Sequence, residues 1–181
     1  MIGRYHFCGH YEWTFSWIES NGGRGLLKTY WEEAIGEDSQ RHARSLIIPQ
    51  GLDGMKRYWQ HTLEEEAAGY ALTSDEKCLR IDIKTCPSKG FLLKNGLQQH
   101  SDSCDDCMGW IGPMMKASGY VVDHQHNHQG RCWREFRKKH DGNGSSDPEE
   151  LVTDKDVRLK PGWESGPIDS FKRATDADDK S

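Results

Sequence analysis

The sequence predicts an α+β protein: an N-terminal helical half packed on a small, mainly antiparallel sheet, with two further helices. Three observations carry this. Aromatic and apolar residues recur at helical spacing over roughly the first 70 residues. The period then changes to two in "CLRIDIKTC", where Leu79, Ile81 and Ile83 alternate with Arg80, Asp82 and Lys84. Finally, "GYVVDHQ" and "RCWREFR" are strand-like and are joined by the turn sequence His126-Asn127-His128-Gln129-Gly130.

The first helix is marked by Trp13 and Trp17, and by His6 and His10, each pair four apart, and ends at Asn21-Gly22-Gly23. A second covers Leu26 to Ile35, with Leu27, Tyr30, Trp31 and Ala34 on one face. A third runs from Asp38 to Ile48 and stops at Pro49 and Gly51. Asp53 caps a fourth, which carries Met55, Trp59 and Leu63 toward Ala68 and closes at Gly69. After the strand, Pro87 opens a short helix containing Phe91, Leu92 and Leu93, and Gly96 ends it. Ser101, Asp102 and Ser103 offer caps for the next helix, which Pro113 should kink and Gly119 should stop. The basic run Arg134, Arg137, Lys138, Lys139 reads as a solvated strand end.

Two parts follow: a single domain over 1–140, and an acidic, largely disordered tail over 141–181, introduced by "DGNGSSDPEE". The tail holds 11 Asp/Glu and 6 Lys/Arg, so it carries the whole net charge of −5, and the first 140 residues are neutral. That balance gives no support for nucleic-acid binding. No apolar run is long enough to span a membrane, and the first residues lack the apolar centre of a signal peptide. Cytoplasmic residence is the expectation, and six cysteines in that compartment read as ligands, reactive thiols or core residues before they read as disulfides.

Cys104 and Cys107 form C-D-D-C at the start of a predicted helix, where the helix dipole favours thiolates. Cys86 precedes Pro87 at a second helix start, and Cys132 lies on the last strand. The spacing C-x17-C-x2-C-x24-C allows a four-thiolate zinc site if the side chains converge, and His124 is the candidate for a mixed ligand set. His126 and His128 read as a polar hairpin tip. At the N-terminus, His6 and His10 have the spacing of paired helical ligands, but Phe7 stands where a zinc protease needs Glu. They either pack beside Trp13 and Trp17 or face the cysteine pocket, while Cys8 lies on another face.

Cys86-Pro87, Gly96, Cys104-x-x-Cys107, Gly119-Tyr120 and Gly130-x-Cys132-x-x-x-Phe136, with His6-x-Cys8-x-His10-Tyr11 upstream, resemble the L-2-amino-thiazoline-4-carboxylic acid hydrolase family of small bacterial proteins. The resemblance implies helices followed by a sheet, and hydrolytic opening of a cyclic C–N bond in a small-molecule substrate. A metal-bound hydroxide would serve that chemistry, as would a thiolate from Cys86, Cys104 or Cys107 with a histidine such as His10 carrying the proton. Zinc is the metal expected for Cys86, Cys104, Cys107, Cys132 and His124. Two other readings stay open. One is a non-catalytic metal- or small-ligand-binding sensor similar to 4-vinyl-reductase-type domains; the other is a structural zinc protein.

Overall fold

The computed structural model describes residues 5–100, 104, 106–126 and 130–138. The acidic tail, His128 in the hairpin turn, the caps Ser101 to Ser103 and the side chain of His6 lie outside the described residues. The α+β class holds. In order, the chain forms α1 (Tyr5–Thr29), a π-helix (Tyr30–Ser39), α2 (Arg41–Glu65), β1 (Gly69–Ser74), β2 (Cys78–Thr85), α3 (Lys89–Lys94), α4 (Asp106–Ser118), β3 (Tyr120–His126) and β4 (Cys132–Lys138). The four strands make one antiparallel sheet in the order β1-β2-β4-β3.

The predicted helix ends are present as interior breaks. Gly23 (φ 74°) interrupts α1, and Gly51 (φ 56°) interrupts α2 just after Pro49. Both have the positive φ that glycine tolerates best. The wide turn after α1 could not be read from spacing: Gln40 N–H donates to Ile35 O at 2.7 Å, five residues back, which is the bonding of a π-helix. Two glycines let this element pack closely on α4. A Cβ on Gly36 would lie 3.3 Å from Trp110 Cβ, and one on Gly109 would lie 2.7 Å from the Trp31 ring. Pro113 sits inside α4 and does not end it.

Trp13 and Trp17 are exposed, at 60% and 53%. The helix face they share with His10 therefore points to solvent, and the expected packing of His10 beside buried tryptophans is corrected. α1 buries instead the stripe that leads to Phe15 and Ile18. The core lies between the helices and one sheet face, built on Trp31, Ile47, Met55, Trp59, Ile111, Met114 and the inward side chains of β2 and β4. Among the described residues, no helix is long and apolar enough to cross a membrane.

Strand register places the site. Across the inner face run three rows of paired positions: Leu79–Phe136–Val122, Ile81–Arg134–His124 and Ile83–Cys132–His126. The first row is wholly apolar; the next two carry an arginine, a thiol and two imidazoles into the interior. On the outer face, Trp133 is covered by the Arg80 guanidinium 4.4 Å from its ring, and its indole N–H donates to Gln125 Oε1 at 2.8 Å.

Candidate functional site

A cavity of about 90 Å³ opens at the polar end of the inner sheet face. Four groups of side chains wall it: Cys8, Tyr11, Glu12 and Phe15 from α1; Cys86, Ser88, Lys89 and Leu92 from the start of α3; Cys104, Asp106 and Cys107 from the start of α4; and His124, His126, Arg131, Cys132 and Arg134 from the strands and the approach to β4. The α1 group has the spacing i, i+3, i+4, i+7, so one helix face supplies all four. The volume is below the roughly 150 Å³ of an apolar cavity that takes benzene, so an occupant is a small molecule with part of its surface toward the mouth.

The sequence-predicted residues Cys86, Cys104, Cys107, Cys132 and His124 all line this one cavity. His10 does not: it is exposed, and its ring lies beside Tyr11 on the outer side of α1. The α1 thiol that reaches the cavity is Cys8. His126 is corrected too. β3 extends far enough to turn it inward with His124; the rings are 5.1 Å apart, and His126 is only 1% exposed. Arg134, expected at a solvated strand end, is 6% exposed and faces the interior. The signal was present in the sequence: Cys132, Arg134 and Phe136 alternate on one strand face.

The thiols are brought together without forming a ligand set. Among the described residues, no group of three or more His, Cys, Asp or Glu side chains is arranged to hold a metal ion. A guanidinium stands among the sulfurs in place of a common centre. Cys132 bonds to Arg134, and Cys86, Cys107 and Cys132 are close enough to reinforce the charge on that arginine. The helix-start thiolates expected for C-D-D-C are also corrected. α4 begins at Asp106, so Cys104 precedes the helix. Burial pushes the Cys107 thiol up to about 12, with Arg134 opposing. It pushes Cys132 and Cys8 up to about 11 and Cys104 well above its ordinary value. Desolvation outweighs the half-charge of a helix terminus when the sulfur is out of water. Cys86 differs in its contact, since its sulfur accepts the Lys89 backbone N–H at 3.4 Å.

Two carboxyl groups complete the cavity. Burial raises Glu12 to about 7, against the His100 N–H that donates to its Oε2 at 2.6 Å. Burial, with the charge of Glu12 adding to it, raises Asp106 to about 8. Asp106 Oδ1 is buried without a hydrogen-bond partner among the described residues. Near neutral pH this pair can hold and release protons, which is the property of a general acid or base. Neither carboxylate was singled out from the sequence, because an acidic residue in a first helical turn reads as dipole complement and one among tryptophans reads as solvated.

His100 ties the wall together from behind. It is buried, its Nε2 lies 2.8 Å from Glu19 Oε2, and its ring meets Phe15 and Trp31 edge-on. This anchors His100 against α1. No family model, curated protein or solved structure matches the chain.

Proposed function

We propose that the cavity is the active site of a small-molecule hydrolase that opens a cyclic C–N bond of the 2-amino-thiazoline-carboxylate kind. The observation that carries the reading is the meeting, in one small cavity, of several thiols with two carboxyl groups that titrate near neutrality. Ring opening of an amidine-like group needs a nucleophile at carbon and a proton at the departing nitrogen. Cys86 suits the first role, because the Lys89 N–H already supports charge on its sulfur. Asp106 suits the second, with Glu12 close enough to share its proton load.

The atoms balance as follows. The Cys86 sulfur adds to the ring carbon between the heteroatoms, and its proton passes to a pocket base, His124 or His126. The ring C–N bond breaks as Asp106 delivers its proton to that nitrogen. Water then adds to the same carbon and gives a proton back to Asp106, the Cys86 sulfur leaves and regains its proton from the histidine, and the net change is one water added across the C–N bond. The resemblance to the 2-amino-thiazoline-carboxylate hydrolases supports this substrate class.

The test is incubation of the full chain with L-2-amino-thiazoline-4-carboxylate, followed by mass spectrometry. A product one water heavier is expected. Cys86→Ser should reduce its formation to background, whereas Cys78→Ser, on the outer strand face, should leave it unchanged. No product from the wild-type chain, or an undiminished rate in Cys86→Ser, would sink the assignment.

A further inference from the structure

We infer that Arg134 is the specificity-determining residue of the cavity and that it binds the carboxylate of a small monoanionic ligand. The inference rests on the preceding reading for the fate of the bound ring, but the carboxylate site itself stands on the geometry of Arg134.

Arg134 lies in the middle row of the inner sheet face, between Ile81 and His124. It is 6% exposed, its guanidinium stacks 5.5 Å from the Trp59 ring centroid, and it lines the cavity. Its Nε is buried with no hydrogen-bond partner among the described residues. Its hydrogen-bonded contact is the Cys132 sulfur, and no described carboxylate makes an ion pair with it. Of the two carboxyl groups in the cavity, Glu12 accepts the His100 N–H, and Asp106 keeps an Oδ1 with no partner among the described residues and forms no ion pair with Arg134. A buried guanidinium with no counter-ion is strongly unfavourable, and arginine cannot escape by losing its proton. The Cys107 and Cys132 thiols are poor substitutes, since burial holds both protonated. Among the described residues the cavity thus presents a planar fork of donors that no carboxylate fills. A carboxylate fits that fork with two parallel N–H···O bonds. The small volume favours a compact acid over a nucleotide or a long chain.

With its carboxylate on Arg134, a ring would direct its other end to Asp106 and Glu12, which face the same space from the helices. The strand therefore reads the acid and the helices act on the ring.

The probe is pyroglutamate, a five-membered lactam with one ring amide bond and one carboxylate, compared with its uncharged primary amide by calorimetric titration of the full chain. The wild type should bind the acid at least about tenfold more tightly than the amide, a modest share of what a buried charge-assisted pair contributes. Arg134→Met should lose that preference, and Arg134→Lys should keep part of it, with the fold of each variant checked by tryptophan fluorescence. If Arg134→Met does not fold, the Arg134 Nε–H resonance of nitrogen-labelled wild type replaces it: the acid must shift it and the amide must not. Equal binding of acid and amide, no binding of either, or an acid preference retained in Arg134→Met overturns the inference. Hydrolysis is read separately. Acid preference without ring opening of 2-amino-thiazoline-4-carboxylate sinks the hydrolase and leaves Arg134 in its role; ring opening without acid preference does the reverse.

Discussion

Replacing Asp106 with asparagine is expected to make the protein more stable at pH 8 and far less active. The two effects share one cause. In the folded chain the Asp106 carboxyl titrates at about 8, against an ordinary value of 3.8. Between about pH 4 and pH 8 the folded state therefore holds one proton more than the unfolded state. Stability falls as pH rises through that window, and the whole penalty is present above it. Glu12, raised to about 7, acts in the same direction over a narrower range. Asparagine keeps the shape and removes the titration. At pH 8 the variant should exceed the wild type by about 5 kcal/mol, and at pH 4 the two should be nearly equal. Urea denaturation at both pH values measures this. Loss of the proton donor should lower ring-opening turnover by about 10²–10⁴-fold. Equal stability gaps at the two pH values would mean that Asp106 is ionised in the fold and cannot be the acid.

The second large effect lies behind the site. Trp31 is fully buried and is the point where three other parts of the chain meet: α1, through Phe15 edge-on at 5.6 Å and the Arg24 guanidinium 5.6 Å from its ring; His100 at 6.5 Å; and Gly109 of α4. Trp31→Ala should cost about 3–5 kcal/mol, because the rigid helix junction cannot collapse into the space. Gly109→Ala should cost about 1–3 kcal/mol by the opposite route, driving a methyl into the ring. Gly109 is three residues from Asp106, so a shift of α4 moves the carboxyl as well. Chemical denaturation reads both changes. A loss below about 1 kcal/mol for Trp31→Ala would show that the junction repacks.

Much of this arrangement was legible in the sequence where one physical signal acted alone. Period-two alternation marked β2, and Leu27 with Trp31 marked a buried helix face. The convergence of Cys86, Cys104, Cys107 and Cys132 followed from their places at helix starts and on a neighbouring strand. Legibility failed where two signals competed. On α1, Trp13 and Trp17 outweighed the Cys8–Tyr11–Glu12–Phe15 stripe in apolar area, yet the second stripe is the one that meets α3 and α4. On β4, a cluster of basic residues suggested solvent, although strand alternation already paired Arg134 with Cys132 and Phe136. β1 was missed because "GYALTS" has no clean alternation: it is an edge strand held by its pairing with β2. The raised carboxyl groups were invisible for a different reason. Desolvation depends on what packs around a group, and no local spacing records it.

The central claim is that Cys8, Cys86, Cys104, Cys107 and Cys132 share one cavity while Cys78 stands apart on the outer strand face. Mild diamide oxidation of the native chain, followed by peptide mapping of the new disulfides, tests it most directly. Cross-links are expected among the five cavity cysteines, with Cys86 joined to Cys104 or Cys107, and Cys78 left reduced. Cross-links of Cys78 to the others at comparable yield, or the absence of any link from Cys86 to Cys104 or Cys107, would contradict it.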